Sequence, residues 1–350
     1  MPSNEKTLHL VGSIPLDSAV EVYEAFGKPL GPYLGCIPDG EVGLRRHWIS
    51  RVHFQVFAIH PDIEILRQPR PDDGVERLNP HDTSDSWKFR VRPGVRHIRF
   101  GEAGWRLGFA RDALASYFVF KTLKRDGALA PHLRFQVSLP MVNSAAPPRI
   151  FESDDDCAIV REGYADALGA ELDTLVQHIP HDELAIQWDC ATELQEAYAG
   201  NLDAQLPQVA LSAALPAKIA LGFHLCFGTL GGWPRFAPDD LGAAVALANA
   251  FVEAAGRRVD WMHIPVLDRS DDAFFAPLQN LRLAGAKVHL GMVHNMERFP
   301  QRLATARKHL ADFGVGAYCG FGRLPPAELP RVLQEHLIAV RALSSHCAAH

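Results

Sequence analysis

Short runs of aliphatic, aromatic and β-branched residues recur along the chain, separated by stretches whose apolar positions fall three or four apart. Eight runs read as strands: TLHLVGS (7–13), PYLGCIPDG (32–40), RFQVSLP (134–140), ELAIQWD (183–189), KIALGFHLC (218–226), VDWMHIPV (259–266), KVHLGMVH (287–294) and VGAYCGFG (315–322). Helices are predicted between them. Ile159, Val160, Tyr164, Leu168, Leu172, Leu175 and Val176 mark one over 158–178, and the PDD at 238–240 starts an Ala/Leu/Val helix over 239–255. Two more are expected over 300–313 and 326–343. Strands that alternate with helices pair in parallel, and eight such units predict an α/β fold, a single closed (β/α)8 TIM barrel.

One region breaks the alternation. Residues 50–108 are expected as an insertion after the second strand: an exposed, Pro/Asp-rich loop over 67–85, then WKFRVRPGVRHIRF (87–100), which reads as a β-hairpin turning at Pro93 and Gly94. The barrel with its insertion spans 1–343, and 344–350 is expected to be a flexible tail.

Composition narrows the functional classes. The 350 residues are 47% hydrophobic and 22% charged with a formal net charge of -6, so there is no basic excess to hold nucleic acid or an anionic membrane. No run reaches the roughly 18 uncharged apolar residues of a membrane span, and MPSNEKT lacks a signal-peptide apolar core. A cytoplasmic protein acting on small molecules is expected, with its oligomeric state left open. Six cysteines at 36, 157, 190, 226, 319 and 347 lie too far apart to suggest a disulfide framework.

In such a barrel the chemistry gathers at the C-terminal ends of the strands. Polar residues do collect there: Ser13, then Asp39 and Glu41, Ser138, Asp189 and Glu193, His224 and Cys226, His263, His294, and Cys319 within the eighth strand. His224 and Cys226 share side-chain parity, so one cation can accept both. Cys319 is the best third ligand, leaving a tetrahedral site with one open position. Alone, a His-x-Cys is more often a core histidine beside a buried thiol than a metal site. Arg45 and Arg46 are candidates for binding a carboxylate or phosphonate, and GTLGGWPRF (228–236) for bringing backbone close to a ligand.

Taken in order, HLVGSIP, PDGEVGLRR, IQWD, HLCFG and YCGFGR resemble the strand-end motifs of the cobalamin-independent methionine synthase catalytic barrel, within the wider uroporphyrinogen decarboxylase and methionine synthase superfamily. The resemblance implies that His224, Cys226 and Cys319 bind zinc and that Ser13, Glu41 and Asp189 hold the amino-acid part of a thiol substrate. Asp39, Arg45, Ser138 and Glu193 join the substrate-binding group, while His294, with Asp189, falls to proton transfer. The implied activity is zinc-dependent transfer of a methyl or other alkyl group to a small, homocysteine-like thiol, with a folate or a corrinoid as candidate donors. The family's zinc glutamate is replaced by Pro265, which makes His263 or Asp268 the nearest substitute ligand. A metal-free decarboxylase-like lyase and a non-catalytic ligand-binding barrel are the competing readings.

Overall fold

The computed structural model describes residues 7–101 and 107–344. Eight parallel strands are β1 (Leu8–His9), β2 (Cys36–Pro38), β5 (Arg134–Pro140), β6 (Leu184–Cys190), β7 (Ala220–Leu225), β8 (Trp261–Pro265), β9 (Lys287–Gly291) and β10 (Gly314–Gly316). They pair in the order β1-β10-β9-β8-β7-β6-β5-β2, and a parallel bridge from Leu8 to Leu34 brings the two edges together. This is the expected barrel. Its central strands are buried along nearly their whole length, which is why they read as continuous apolar runs and not as alternating ones.

The four expected helices form over Asp154–His178, Gly242–Ala254, Phe299–His309 and Leu329–Ser344. Ser153 caps the first by accepting from the Asp156 backbone N–H, and three aspartates in its opening turn meet the positive end of the helix dipole. A further helix, Phe109–Arg125, packs against it. Of the expected tail only Ser344 belongs to the described residues, and it ends the last helix.

The insertion after β2 does contain a two-stranded antiparallel sheet, but with a different partner than WKFRVRPGVRHIRF suggests. β4 (Lys88–Val91) pairs back with β3 (Ile63–Arg67), and the segment after the turn at Arg92 to Val95 stays irregular. The ribbon is fastened to the barrel where Phe89 bridges Phe151 and its carbonyl accepts from the Glu152 N–H. Among the described residues no helix is long and apolar enough to cross a membrane.

Candidate metal centre and active-site cavity

One line of strand register carries most of the site. Pro140, Asp189, His224, His263 and His289 are successive partners across β5 to β9; because the strands tilt, Asp189 and His224 reach the cavity at the C-terminal mouth while His289 lines a pocket at the other end. Beneath them, Gln187 donates to Asp189 Oδ1 at 2.8 Å and to the Val11 carbonyl at 2.8 Å, and its Oε1 bonds His9 Nε2 at 2.7 Å. This buried amide fixes the Asp189 carboxylate, because a buried donor left without partners would cost about 1–3 kcal/mol.

The ligand atoms of His224, Cys226 and Cys319 lie within 4.8 Å of one another. Cys226 stands one residue past β7, where its N–H still continues the ladder to the Cys190 carbonyl at 3.1 Å. Cys319 is not within β10, which ends at Gly316; it reaches the centre from the loop that follows. The two thiols share a hydrogen bond at 3.6 Å, and Cys226 also accepts from the Gly228 N–H at 3.3 Å. That partnership holds the Cys226 thiol below its ordinary value and, together with burial, pushes Cys319 well above.

His263 is not positioned as a fourth ligand. Its Nε2 donates to the Ala317 carbonyl at 2.9 Å, and its Nδ1 meets His224 Nδ1 at 2.8 Å. A carbonyl can only accept, so Nε2 carries the proton; burial lowers the pKa of this ring far below the usual range, and Nδ1 is therefore a bare acceptor. His224 must donate from Nδ1, which frees its Nε2 for a cation. The arrangement also explains Gly291: a Cβ there would lie 2.9 Å from His263 Cε1.

Asp268, the other substitute ligand, is an ion-pair hub away from the triad. It bonds Asn295, Arg298 and the fully buried Arg302, whose guanidinium also donates to the carbonyls of Met292, His294 and Asn295. Asp268→Ala is expected to lower stability in urea by about 2 kcal/mol, less than a fully buried pair would lose because Asp268 is one-third exposed. An unchanged denaturation midpoint would show that the carbonyls alone hold Arg302.

The triad opens into a cavity lined by Ser13, Glu41, Trp48, Asp189, Arg235 and Arg323, among others. Gly40 and Glu41 both take positive φ (81° and 48°), a turn that aims the Glu41 side chain at Gly12 and the cavity. Burial raises both carboxyls, Asp189 to about 6 and Glu41 well beyond its ordinary value, the latter helped by the nearby charges of Asp189 and Asp39. Ser13 accepts from the Gly322 N–H at 3.3 Å and so joins the first loop to the last.

Other expected substrate residues stand behind this wall. Asp39 and Arg45 form an ion pair at 2.8 Å and line a separate, smaller pocket with Ser138; Asp39 also accepts from the Glu41 N–H, so the pair braces the turn. Glu193 is fully buried and holds Ser144 through both the N–H and the hydroxyl. Burial raises its pKa to about 7. His294 does not line the cavity: its Nε2 donates to the Val266 carbonyl at 2.8 Å, and its ring packs edge-on against Trp233 and Tyr318. The turn that aims it away is held by Arg302. RRHWI (45–49), like the Gly-rich loop a candidate for the mouth, does bring His47 and Trp48 to the cavity, and the Gly-rich loop brings Arg235; Arg149, His53 and Ser144 also line it, with no motif in the sequence to mark them.

No family model and no curated protein matches the sequence. Solved structures do match, two of them over almost their whole lengths. A B12-independent methionine synthase from Shewanella sp. W3-18-1, in complex with selenomethionine, aligns with a TM-score of 0.60 at 13% identity, covering 98% of this chain and 100% of that one. The chain has the fold of that methionine synthase. A second, described as a putative vitamin-B12 independent methionine synthase from Listeria monocytogenes, aligns with a TM-score of 0.52 at 15% identity, covering 95% and 96%. Within this fold the segment after β2 supplies part of the cavity wall, through Pro80 and Ser86.

Proposed function

We propose that the protein is a zinc-dependent methyltransferase of the methionine synthase type, acting on a small thiol. One observation carries the reading: two thiols and an imidazole, with the imidazole proton already committed to His263, converge in the lining of one cavity. The donor set suits zinc, since soft sulfur and borderline nitrogen at tetrahedral reach are its preferred company, and three protein ligands leave a position for the substrate. Zinc held there would supply the Lewis acidity that keeps a substrate sulfur deprotonated near neutral pH.

The chain's own residues account for the remaining work. Ser13, Glu41 and Asp189 form the wall beside the triad and are assigned to the polar end of the thiol. Of the two residues expected in proton transfer, Asp189 lines the cavity, and Gln187 fixes its orientation; His294, outside the lining, is assigned no step. Trp48 and the loop over 228–236 contribute to the lining beside the centre. The metal-free lyase reading needs Arg45, Arg46 and Asp39 in the mouth, but Arg45 and Asp39 pair with each other in a different pocket and Arg46 does not line the cavity.

The test is the metal content of the purified protein followed by thiol titration. One zinc per chain is expected, with an X-ray absorption edge that gains sulfur character when a thiol is added. A protein that folds but takes up no zinc would overturn the reading, and a zinc whose spectrum ignores every thiol would make the centre structural.

A further inference from the structure

The lining of the cavity also carries cationic side chains, although the chain as a whole is acidic. Arg149 comes from the turn Pro148–Ile150 that follows β5, and Arg235 from the loop that follows β7. The Arg149 guanidinium makes no hydrogen bond and no ion pair among the described residues, and its Nε is buried without a partner. Arg235 bonds only the neutral Gln195 side chain and lies beside Gly228 and Cys226. Each guanidinium is mostly enclosed, and among the described residues no carboxylate lies within ion-pair distance of either one. His53 completes the wall: its Nε2 is engaged with the Ala145 carbonyl at 3.1 Å, and its Nδ1 is buried with no partner.

Two enclosed arginines facing one another without an acid are costly, because a buried charge is normally paired. The arrangement is nonetheless held deliberately in place. The insertion ribbon pins the Arg149 turn, Lys88 donating to the Arg149 carbonyl at 3.2 Å and β4 bridging Phe151. A planar fork with spare donors at the rim of a cavity matches an oxyanion, which can accept from both arginines at once.

We propose that Arg149 and Arg235 form an oxyanion-binding subsite beside the candidate metal centre, and that the small molecule entering the cavity carries a carboxylate, phosphonate or sulfonate group. The anion replaces the missing counter-charge, and its placement near Cys226 sets it within one small molecule's length of the metal. This rests on reading the cavity as the substrate site, but not on zinc being the metal.

The experiment is a thermal-shift titration of the purified full-length chain with sodium sulfate against sodium chloride at matched ionic strength. Sulfate is expected to raise the melting temperature saturably, and Arg149→Gln and Arg235→Gln each to weaken apparent sulfate affinity about tenfold, the scale of one lost charge-assisted hydrogen bond. Arg331→Gln, on the exposed face of the last helix, should match wild type. Equal sulfate responses in wild type and both variants would overturn the subsite, as would a response no greater than that to chloride. A second arm compares 3-mercaptopropionate with 2-mercaptoethanol. If the arginine variants weaken only the acid, the anionic group belongs to the thiol; if they weaken sulfate binding but neither thiol, it belongs to the other reactant. Both outcomes keep the subsite. A chain that binds sulfate through these arginines but takes up no zinc keeps the subsite and loses the methyltransferase reading, and the reverse pattern does the opposite.

Discussion

Alanine at His224, Cys226 or Cys319 is expected to strip zinc from the purified protein and to abolish thiol methylation while the barrel stays folded. The three donors sit at strand ends and in the loop after β10, above a core that does not include them, so folding does not depend on the metal. Removing one donor leaves two, too few to hold a catalytic cation against solvent. The loss of Lewis-acid stabilisation, worth several kcal/mol, corresponds to a rate lower by about 10³-fold or more. Elemental analysis, circular dichroism and turnover on the same samples separate the outcomes. Full zinc occupancy in all three variants would move the metal elsewhere, and loss of the fold in all three would make the centre structural.

The contrast with Cys190 and Cys157 makes this prediction specific. Both are buried, yet their sulfurs face Met141 Sδ, the Trp188 carbonyl and the Ala146 carbonyl, contacts that belong to packing. A free cysteine commonly behaves as a small apolar residue. Their alanine variants carry no expectation of metal loss, so a purely steric explanation for the His224, Cys226 and Cys319 effects can be checked in the same series.

The barrel was legible because β5 to β9 are long, buried runs in a regular spacing with helices; even the two-residue β1 was found through its apolar neighbours. The 17-residue helix Phe109–Arg125 was not expected. Its buried positions Phe109, Ala113, Tyr117 and Phe120 do recur at helical spacing, but the exposed Phe118 beside them blurs the stripe. The hairpin went wrong for a different reason: Pro93-Gly94 does make a turn, yet the strand entering it finds its partner 20 and more residues upstream, and pairing across a loop is invisible to local pattern.

Within the site, strand parity turns His224 and Cys226 to the same side, and both line the cavity with Asp189, since parity survives wherever the strand is regular. It failed for residues beyond the strand ends. His294 lies three residues past β9, where Arg302 sets the course of the chain, and Glu193 turns inward at the start of its helix to hold Ser144. Arg149 had no signal in the sequence, and Arg235 only that of the Gly-rich loop that carries it. Their meaning comes from being unpaired, a property that exists only after three loops meet.

His263 carries the second large expectation. His263→Phe keeps the ring volume in the slot that Gly291 leaves open but removes the acceptor for His224 Nδ1–H. His224 is then free to place its proton on Nε2, the nitrogen that must bind the cation, and a buried donor is stranded in the other tautomer. Loss of an outer partner of this kind costs about 10- to 100-fold in metal affinity. Zinc affinity measured by competition with a chelator should fall by that factor, with the fold intact and the two cysteines untouched. His263→Gln, which can return an amide oxygen to His224, should recover part of the loss. If His263→Phe binds zinc as tightly as wild type, the histidine pair is only packing, and the orientation of His224 must come from the metal itself.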